Sequence, residues 1–404
     1  RDRAGRRDRA SHRDRASHRH RASHRHRASH RHRTGWGGPS AHLDRAGRAG
    51  RGGCALMATV AVAGAGVTGL VTAIGCARAG HRVVVLDRGP IPNPASTSSD
   101  QHRALRVLRP DDVDGTARMA EARRRWADLE ALLGAGFVRP VGVVTAGTPD
   151  ELERAFDTAR QAGVPATAVA PDTLPPVLFP DGTGGVFDPG GAVLLADRFL
   201  RAAVGWLAAH PEVTLRPRCA VAGVQDHLLV LASGEEVGAD AVLLAGGPWT
   251  SGLAGPPVVL HRQTMAYLRP PPHLAGWWAS APGVGRIGGD RRAWLLPPGG
   301  GTLLKISSDA VCREVTTTAD PDRGPWAGRL LSEPILAGAE DYAVVAVRDC
   351  HYAADAVTGG PVLARIHPSV WARSACGGSG FGAAPLVARE ILGAVTRVTD
   401  KECA

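Results

Sequence analysis

The chain has 404 residues, 44% of them hydrophobic and 21% charged, which is enough to bury the cores of two domains. Its formal charge of +10 suggests nucleic acid at first sight, but residues 1–53 alone carry 16 Arg and 4 Asp, and the remainder has a net charge of −2. This distribution argues against a nucleic-acid-binding body, and seven cysteines without a C-x-x-C pair argue against a zinc framework or a disulfide scaffold.

The first 53 residues consist of near-repeats of RDRASHRH and RASHRH and contain 8 of the 16 histidines. A segment with so few apolar side chains cannot offset its ordering entropy, so residues 1–56 are predicted to be a disordered tail. It could be a basic arm for nucleic acid or a His-rich metal tract. A third interpretation is sequence translated ahead of a true start at Met57. We favour the third, in which the tail is not native, because MATVAVAGAG begins just before the first predicted strand.

Residues 60–87, VAVAGAGVTGLVTAIGCARAGHRVVVLD, predict a dinucleotide-binding βαβ unit. Gly64, Gly66 and Gly69 have the G-x-G-x-x-G spacing, which allows a tight turn, close approach to a pyrophosphate, and packing of the helix on the strand. Asp87 lies 18 residues after Gly69, where a carboxylate accepts hydrogen bonds from ribose hydroxyls. Arg88, which follows it, is assigned to the same cofactor site. This stretch alone leaves NAD as plausible as FAD.

The uncharged stretch 54–77 resembles a signal anchor in its composition, but its glycines, placed at the nucleotide-binding spacing, argue for a strand and a helix instead. The sequence offers no other membrane candidate, so we expect a cytoplasmic protein without a membrane partner. Further along the chain, Arg103, Arg106 and Arg109 would share one face if their segment were helical. Residues 116–133 predict an amphipathic helix.

Three later stretches carry the remaining signals. ADAVLLAGGPWT at 239–250 is an apolar strand ending in a small-residue turn at Gly246. CGGSGFGAAPLVAREIL, which contains Gly378 and Gly380, is a glycine loop before a helix. Cys350-His351-Tyr352 precedes a strand and a His-Pro pair. Together with residues 60–87, these stretches resemble the FAD-dependent amine oxidase family of the D-amino-acid oxidase superfamily, most closely its branch of monomeric sarcosine oxidase and N-methyltryptophan oxidase.

The resemblance implies FAD as the cofactor, with its AMP half at residues 64–87 and its ring reaching the C-terminal segments. In the sarcosine oxidase branch, a Cys-x-Tyr segment carries the flavin through a thioether, which implies covalent attachment at Cys350. A free buried cysteine is more often simply a small hydrophobic residue. The closing loop would direct a helix N-terminus at the flavin and stabilise the negative charge of its reduced form.

The resemblance also assigns roles near the reacting atoms. Lys305, in GGGTLLKIS, corresponds to a strand lysine that promotes the reaction with O2, although an exposed strand lysine is the ordinary alternative. Arg103 would lie beside the flavin and Arg106 would bind a substrate carboxylate, unless both belong to a solvated arginine face. Tyr352 is assigned to the substrate site and Ser99 to the flavin.

Three positions depart from the family pattern. The second carboxylate ligand, a lysine in the closing loop, falls at about Ala384, and the histidine before it falls at about Phe381, which we assign to the substrate site. The early flavin-neighbouring histidine is replaced by Ser99. Half of the carboxylate clamp is therefore missing, which favours a bulkier or cyclic substrate, or one without a free carboxylate, over a plain N-methyl amino acid.

The predicted fold class is α/β combined with α+β, a Rossmann-like FAD-binding domain with an inserted mixed-sheet substrate domain. Residues 57–98, 187–250 and 341–400 are assigned to the FAD-binding domain, and residues 99–186 and 251–340 to the substrate domain. The expected function is oxidation of a C–N bond by a monomer that uses a small amine and O2. Alternatives are a secondary-metabolite oxidase that desaturates a cyclic amine, a flavin dehydrogenase that does not use O2, and, least favoured, a nucleic-acid-binding protein.

Overall fold

A computed structural model describes residues 57–320 and 324–402, with side chains as far as Arg397, so the predicted tail of residues 1–56 lies outside the described residues. The α-helices in the described residues are α1 (Val67–Arg78), α2 (Val113–Leu133), α3 (Pro149–Ala162), α4 (Ala196–Ala209), α5 (Ala275–Ser280), α6 (Trp326–Leu331) and α7 (Gly380–Glu402). The strands there are β1 (Thr59–Ala63), β2 (Arg82–Leu86), β3 (Arg103–Leu105), β4 (Val138–Arg139), β5 (Val143–Gly147), β6 (Thr167–Val169), β7 (Gly184–Asp188), β8 (Ala192–Leu194), β9 (Val213–Arg216), β10 (Val221–Gln225), β11 (Leu228–Leu231), β12 (Glu236–Gly238), β13 (Ala241–Leu244), β14 (Val258–Arg269), β15 (Gly283–Ile287), β16 (Ala293–Leu296), β17 (Leu304–Val315), β18 (Ala343–Asp355), β19 (Pro361–His367) and β20 (Val370–Cys376).

A six-stranded sheet holds the predicted nucleotide motif. Its strand order is β19-β20-β13-β1-β2-β9, and all neighbouring pairs are parallel except β19 with β20. The central strand β1 is buried on both faces, as expected for a continuous apolar run in a parallel sheet. One face packs with α1, α2, α4 and α7, and the other packs against the small sheet of β10, β11 and β12. The predicted Rossmann-like architecture is confirmed.

An eight-stranded mixed sheet forms the second layer, in the order β18-β14-β17-β16-β15-β5-β7-β6. Only β5 and β15 pair in parallel in it. Strand β18, which carries Cys350, belongs to this sheet, whereas the predicted bounds assigned residues 341–400 to the nucleotide domain. Strand β18 belongs to the eight-stranded sheet because it pairs with β14 along the full length of β14, residues 258–269. The chain enters the six-stranded sheet only at β19.

The arginine segment is extended, so the condition under which Arg103, Arg106 and Arg109 would share a helix face is not met. Residues 103–105 form β3, which pairs with β8, and the chain after β3 is irregular. Asp188 holds that irregular part by accepting hydrogen bonds from the backbone nitrogens of Val107 and Leu108 at 3.0 and 2.9 Å. Arg106 is therefore placed by an extended backbone rather than by helical periodicity.

The predicted helix 116–133 is confirmed as α2, which begins after Asp112 and ends at Gly134 in the left-handed conformation. The side chain of Asp112 accepts a hydrogen bond from the Gly115 nitrogen at 2.8 Å, so it caps the helix. No helix among residues 57–320 and 324–402 is long and apolar enough to cross a membrane.

Candidate functional site

One cavity of about 1270 Å³ runs from the end of β1 to the eight-stranded sheet. Typical pockets for a single small ligand measure roughly 300–1,000 Å³, so this cavity has room for a large cofactor together with a substrate. Its wall brings together all four segments that carried the sequence signals. They are the glycine loop (residues 64–69), the turn at 245–249, the strands with Lys305 and Cys350, and the closing loop (residues 376–382).

The glycine loop is shaped as its spacing predicts. Gly64 has φ +113°, and a Cβ there would lie 2.5 Å from the carbonyl oxygen of Ala245. A Cβ on Gly69 would lie 1.9 Å from the Gly64 carbonyl oxygen, so only glycine lets α1 approach β1 this closely. At Gly66 the corresponding distance to Ser98 Oγ is 3.0 Å, and Gly66 and Val67 both face the cavity. Val67 N already donates to Ser98 Oγ at 3.0 Å, so an anionic ligand would be bound by other first-turn nitrogens, such as that of Thr68, which also lines the cavity.

Asp87 lines the cavity but already has three protein partners. Its carboxylate accepts hydrogen bonds from Ala65 N at 2.9 Å, Gly89 N at 2.8 Å and Asn93 Nδ2 at 2.8 Å. The side chain thus fixes the glycine loop to the end of β2, a role that the sequence did not indicate. Arg88 also lines the cavity, and its guanidinium stacks 3.7 Å from the centroid of the Trp249 ring.

Strand register explains how one face of the eight-stranded sheet becomes a cavity wall. Side chains at alternate positions share a face, and residues paired across antiparallel strands do so too. Lys305 pairs with Tyr267 and Leu296, and Cys350 pairs with Gln263. The cavity-lining side chains on this face are Thr145, Gln263, Met265, Trp294, Leu296, Lys305, Asp309, Cys350 and Tyr352.

Lys305 is 1% exposed and belongs to a buried polar network. Its Nζ donates to Asp100 Oδ2 at 2.5 Å and to the His102 carbonyl oxygen at 3.3 Å. Asp100 also contacts Arg103 and accepts from the Tyr267 hydroxyl at 2.7 Å. Burial and the positive charge of Arg103 lower the pKa of Lys305, whereas contact with the Asp100 carboxylate favours its charged form. Lys305 is therefore not an exposed strand lysine. Its partner Asp100 was not indicated by the sequence.

Arg103 reaches towards Cys350. The Arg103 Nη2 atom donates to the Thr97 carbonyl oxygen at 2.7 Å and lies 3.9 Å from Cys350 Sγ. Cys350 is half-buried, is not in a disulfide, and lines the cavity. Ser99, in contrast, is not part of the cavity wall; its neighbour Ser98 is, and Ser98 Oγ accepts a hydrogen bond from Val67 N at 3.0 Å.

Arg106 lines the cavity, and its side chain is accessible from the cavity although the walls of the cavity enclose it. Burial lowers its pKa, and the nearby Asp309 carboxylate opposes that shift. Tyr352 also lines the cavity, with its hydroxyl 3.4 Å from Cys312 Sγ and its ring stacked 5.0 Å from that of His261. Burial raises the pKa of Tyr352, so its hydroxyl stays protonated.

The closing loop presents the N-terminus of α7 to the cavity. Gly377 and Gly378 have φ +56° and +74°, and Gly380 begins the helix. Phe381 touches the cavity but is 7% exposed, and its ring stacks 5.6 Å from that of Trp126. Ala384 is completely buried, so a lysine at this position would be enclosed in the core. Phe381 therefore both lines the cavity and packs against the core.

Comparison with known proteins identifies the family. The model of the family "FAD dependent oxidoreductase" (DAO) matches residues 59–392. The chain belongs to this family. It is 28% identical to the peroxisomal sarcosine oxidase of Mus musculus over 209 residues, and 27% identical to that of Homo sapiens over 203 residues. In both cases the match covers 48% of this chain and 52% of the relative, so the chain spans about half the length of these relatives.

Solved structures share the fold at lower identity. NikD, "an unusual amino acid oxidase essential for nikkomycin biosynthesis", is 18% identical with a TM-score of 0.68, over 84% of this chain and 94% of that one. Glycine oxidase from Geobacillus kaustophilus is 19% identical with a TM-score of 0.69, over 84% and 95%. Amadoriase I from Aspergillus fumigatus is 17% identical with a TM-score of 0.65, over 84% and 86%.

The residues present fit the cofactor of this family. Gly64 and Gly69 allow the tight turn and the close packing of α1 on β1 that a dinucleotide-binding loop requires, and Gly66, Val67 and Thr68 at the start of α1 line the cavity. The cavity continues without a break from there to the sheet face with Lys305 and Cys350. This length suits an extended cofactor better than a compact one.

Several cavity residues were missed by sequence reasoning. Asp309 follows Lys305 by four positions, so the period-2 pattern of a strand would have placed both on one face. Trp294, in contrast, belongs to a tryptophan-rich patch (Trp277, Trp278 and Trp294) that the sequence suggests as an apolar wall for the substrate, and it lines the cavity with its ring centroid 5.8 Å from Lys305 Nζ. Arg373 is 9% exposed and lines the cavity next to the closing loop, and burial lowers its pKa. Only the pairing of β20 with β13 places Arg373 there, and that pairing is not readable from sequence.

Proposed function

We propose that this protein is an FAD-dependent oxidase of a C–N bond in a secondary amine or an amino-acid-derived substrate, producing an imine and hydrogen peroxide. The observation that carries the proposal is the single cavity that joins the glycine loop to Lys305, Cys350 and the N-terminus of α7. When bound, FAD would accept a hydride equivalent, which is one proton and two electrons, from the carbon next to the amine nitrogen, and would pass the two electrons with two protons to O2. Flavins do the hard chemistry, so the absence of a Ser/His/Asp arrangement from the predicted site is expected.

The chain's own residues would bind the cofactor and the substrate, orient them, and set the charge around the reacting atoms. Gly64 to Gly69 and the start of α1 would hold the pyrophosphate, and the α7 N-terminus would favour negative charge on the reduced cofactor. Lys305 would stabilise negative charge developing on O2, because an ammonium in a water-poor site acts strongly on nearby charge. Arg106 would bind a substrate carboxylate through its paired N–H groups.

We further propose that FAD is attached to the protein at Cys350 by a thioether. Support comes from the position of Cys350 on the cavity wall and from the resemblance of its Cys-x-Tyr segment to the sarcosine oxidase branch. The finer proposals of a monomeric state and a cytoplasmic location rest on the resemblance and the sequence alone.

Acid denaturation of the purified protein tests these proposals. We expect the yellow colour to stay with wild-type protein, to be released from Cys350→Ala, and to stay with the control Cys376→Ala, which also removes a cavity-lining thiol. Release of free FAD from wild type would contradict the thioether and leave FAD binding intact. Protein purified without any flavin, or without hydrogen peroxide release across N-methyl and cyclic amino acids, would contradict the oxidase itself.

The second candidate is a biosynthetic oxidase that desaturates a cyclic amine. The observation that favours it is that Phe381 in the closing loop and Ala384 in α7 are both buried and uncharged, so neither supplies a cation for a small carboxylate. Product analysis distinguishes the two, because repeated oxidation of one ring gives an aromatic product with a new ultraviolet absorption band, whereas a single oxidation gives an imine that hydrolyses.

A further inference from the structure

Two opposite charges face the same cavity without touching each other. Asp309 lies on β17, four residues beyond Lys305 on the same face, and Arg106 follows β3. Both side chains are exposed to the cavity. Among the described residues neither charged group has a hydrogen bond or an ion pair, and the Arg292 guanidinium bonds only the Asp309 backbone carbonyl, at 2.9 Å. Two opposite charges on one cavity wall, neither with a partner in the part of the chain that the structure describes, can each form a charge-assisted hydrogen bond with a ligand.

The surroundings of the pair are more basic than acidic. Arg109 and Arg292 also line the cavity. Burial raises the pKa of Asp309, and the positive charges of Arg106 and Arg292 oppose that shift. Because the arginines outnumber the carboxylate, the site does not suit a substrate whose only charge is positive. Asp309 in turn disfavours a ligand that is only an anion, since it would repel a carboxylate placed next to it.

We propose that Arg106 and Asp309 together bind a zwitterionic amino acid, with its carboxylate on Arg106 and its ammonium on Asp309. This inference rests on the proposed function and names its substrate class. A zwitterion presents both charges within one small group, so it fits between two side chains that interact electrostatically but do not meet. The apolar faces of Trp294 and Leu296 on the same wall would take the remainder of the substrate.

Asp309 also has a chemical use in this arrangement. An amine must be neutral before hydrogen leaves its carbon, so a bound ammonium has to lose one proton. Transfer of that proton breaks one N–H bond and forms one O–H bond on the carboxylate, leaving a neutral amine and a neutral acid with no change in oxidation state. A carboxylate in contact with the nitrogen serves both to select the ammonium and to accept its proton.

Three isosteric probes separate the two charges. Proline carries both, tetrahydrofuran-2-carboxylate lacks the ammonium, and pyrrolidine lacks the carboxylate. Binding of both enantiomers, where they exist, is measured by calorimetry without oxygen on protein whose bound flavin has first been reduced with dithionite, so that no probe is oxidised during the measurement. We expect wild type to bind one enantiomer of proline about tenfold or more tighter than either partial probe, because each charge-assisted hydrogen bond adds at least that factor.

Variants assign each charge to its residue. Asp309→Asn should weaken proline binding about tenfold. The same variant should bind tetrahydrofuran-2-carboxylate with an affinity within about twofold of wild type, or more tightly than wild type. Arg106→Gln should weaken both carboxylates and spare pyrrolidine. Glu314→Gln is the matched control, since Glu314 is an exposed carboxylate on the same strand, β17, outside the cavity wall, and its loss should leave the binding of all three probes unchanged.

The inference is overturned if wild type does not prefer proline, or if Asp309→Asn weakens proline and tetrahydrofuran-2-carboxylate equally, which would make Asp309 a structural residue. Asp309→Glu, which keeps the charge, should retain the preference and guards against an unfolded Asn variant. Flavin content measured in the same samples separates the two proposals. A flavin-loaded oxidase without proline preference contradicts only the zwitterion site, whereas a flavin-free protein contradicts the proposed function.

Discussion

Substitution of Asp100 by Asn should destabilise the protein far more than removal of its partner Lys305. Asp100 and Lys305 are both almost fully buried, with 3% and 2% of their side chains exposed. In Asp100→Asn, two cations, Lys305 and Arg103, face a neutral amide in a buried site. Breaking a buried pair by removal of one partner costs about 3–5 kcal/mol of unfolding free energy. We expect Asp100→Asn to lose an amount of unfolding free energy in that range.

The reverse change is milder because Asp100 keeps other partners. In Lys305→Met the carboxylate retains Arg103, the Tyr267 hydroxyl and the Gln101 backbone nitrogen, at 2.7 and 2.6 Å for the last two. A methionine fills a similar volume without the desolvation cost of an ammonium, so the net loss should be about 1–2 kcal/mol. The double variant should be more stable than Asp100→Asn alone, since it no longer buries an unpaired Lys305.

Urea unfolding of samples with matched flavin content measures these differences, because bound cofactor itself shifts stability. Equal losses in the two single variants, or a double variant less stable than Asp100→Asn, would refute the view that Asp100 balances both cations. The balance decides whether Lys305 is held as an ammonium, which is the form that the proposed reaction with O2 needs.

Three more predictions follow from single side chains. Gly64→Ala, at φ +113° with a Cβ 2.5 Å from a backbone oxygen, should lower the flavin-to-protein absorbance ratio and cost at least about 1–3 kcal/mol, whereas Gly75→Ala inside α1, with open space around its Cβ, should gain about 0.5–1 kcal/mol. Lys305→Met should slow reoxidation of reduced flavin by O2 by about 10²–10³-fold in stopped-flow traces and leave anaerobic reduction intact, and slow reduction with normal reoxidation would contradict its assigned role. Burial raises the pKa of Glu151, but hydrogen bonds from Thr148 and Arg291 and the nearby arginine charges outweigh this and lower the pKa to about 2. The contribution of the Glu151 carboxylate to the unfolding free energy is therefore complete above about pH 4.3 and lost as the pH falls through about 2. The difference in unfolding free energy between wild type and Glu151→Gln should shrink steadily below about pH 4, and a difference that stays constant down to about pH 2 would count against this assignment.

Sequence reasoning was strongest where a residue type has few physical alternatives. Gly64 and Gly69 are glycines because a Cβ would collide with backbone, so their spacing revealed the loop, the strand before it and the helix after it. The lysine at 305 was notable because lysine is rare in this chain, and its burial supports a special role. Both signals are local in the sequence, so they can be recognised without knowledge of the tertiary structure.

The remainder depended on pairing between distant strands. Arg103, Arg106 and Arg109 suit a helix by spacing, but pairing of β3 with β8 makes the segment extended. Asp100 carries no motif, and its contact with Lys305 spans 205 positions of sequence. Phe381 was assigned to the substrate site from the resemblance, and it lines the cavity, but the sequence did not show that its ring also completes a cluster with Trp126 and Phe199. Such contacts are consequences of register, which one sequence specifies only weakly.

The chain passes between the six-stranded and eight-stranded sheets four times within the described residues, after β2, after β7, after β13 and after β18. A hinge between two layers works only if every connecting segment bends together, so four connections stiffen the layers against opening as a clamshell. Exchange of substrate and product should therefore depend on small local motions at the rim of the cavity. Crystals or cross-linked samples that hold the two layers fixed should remain able to exchange ligands.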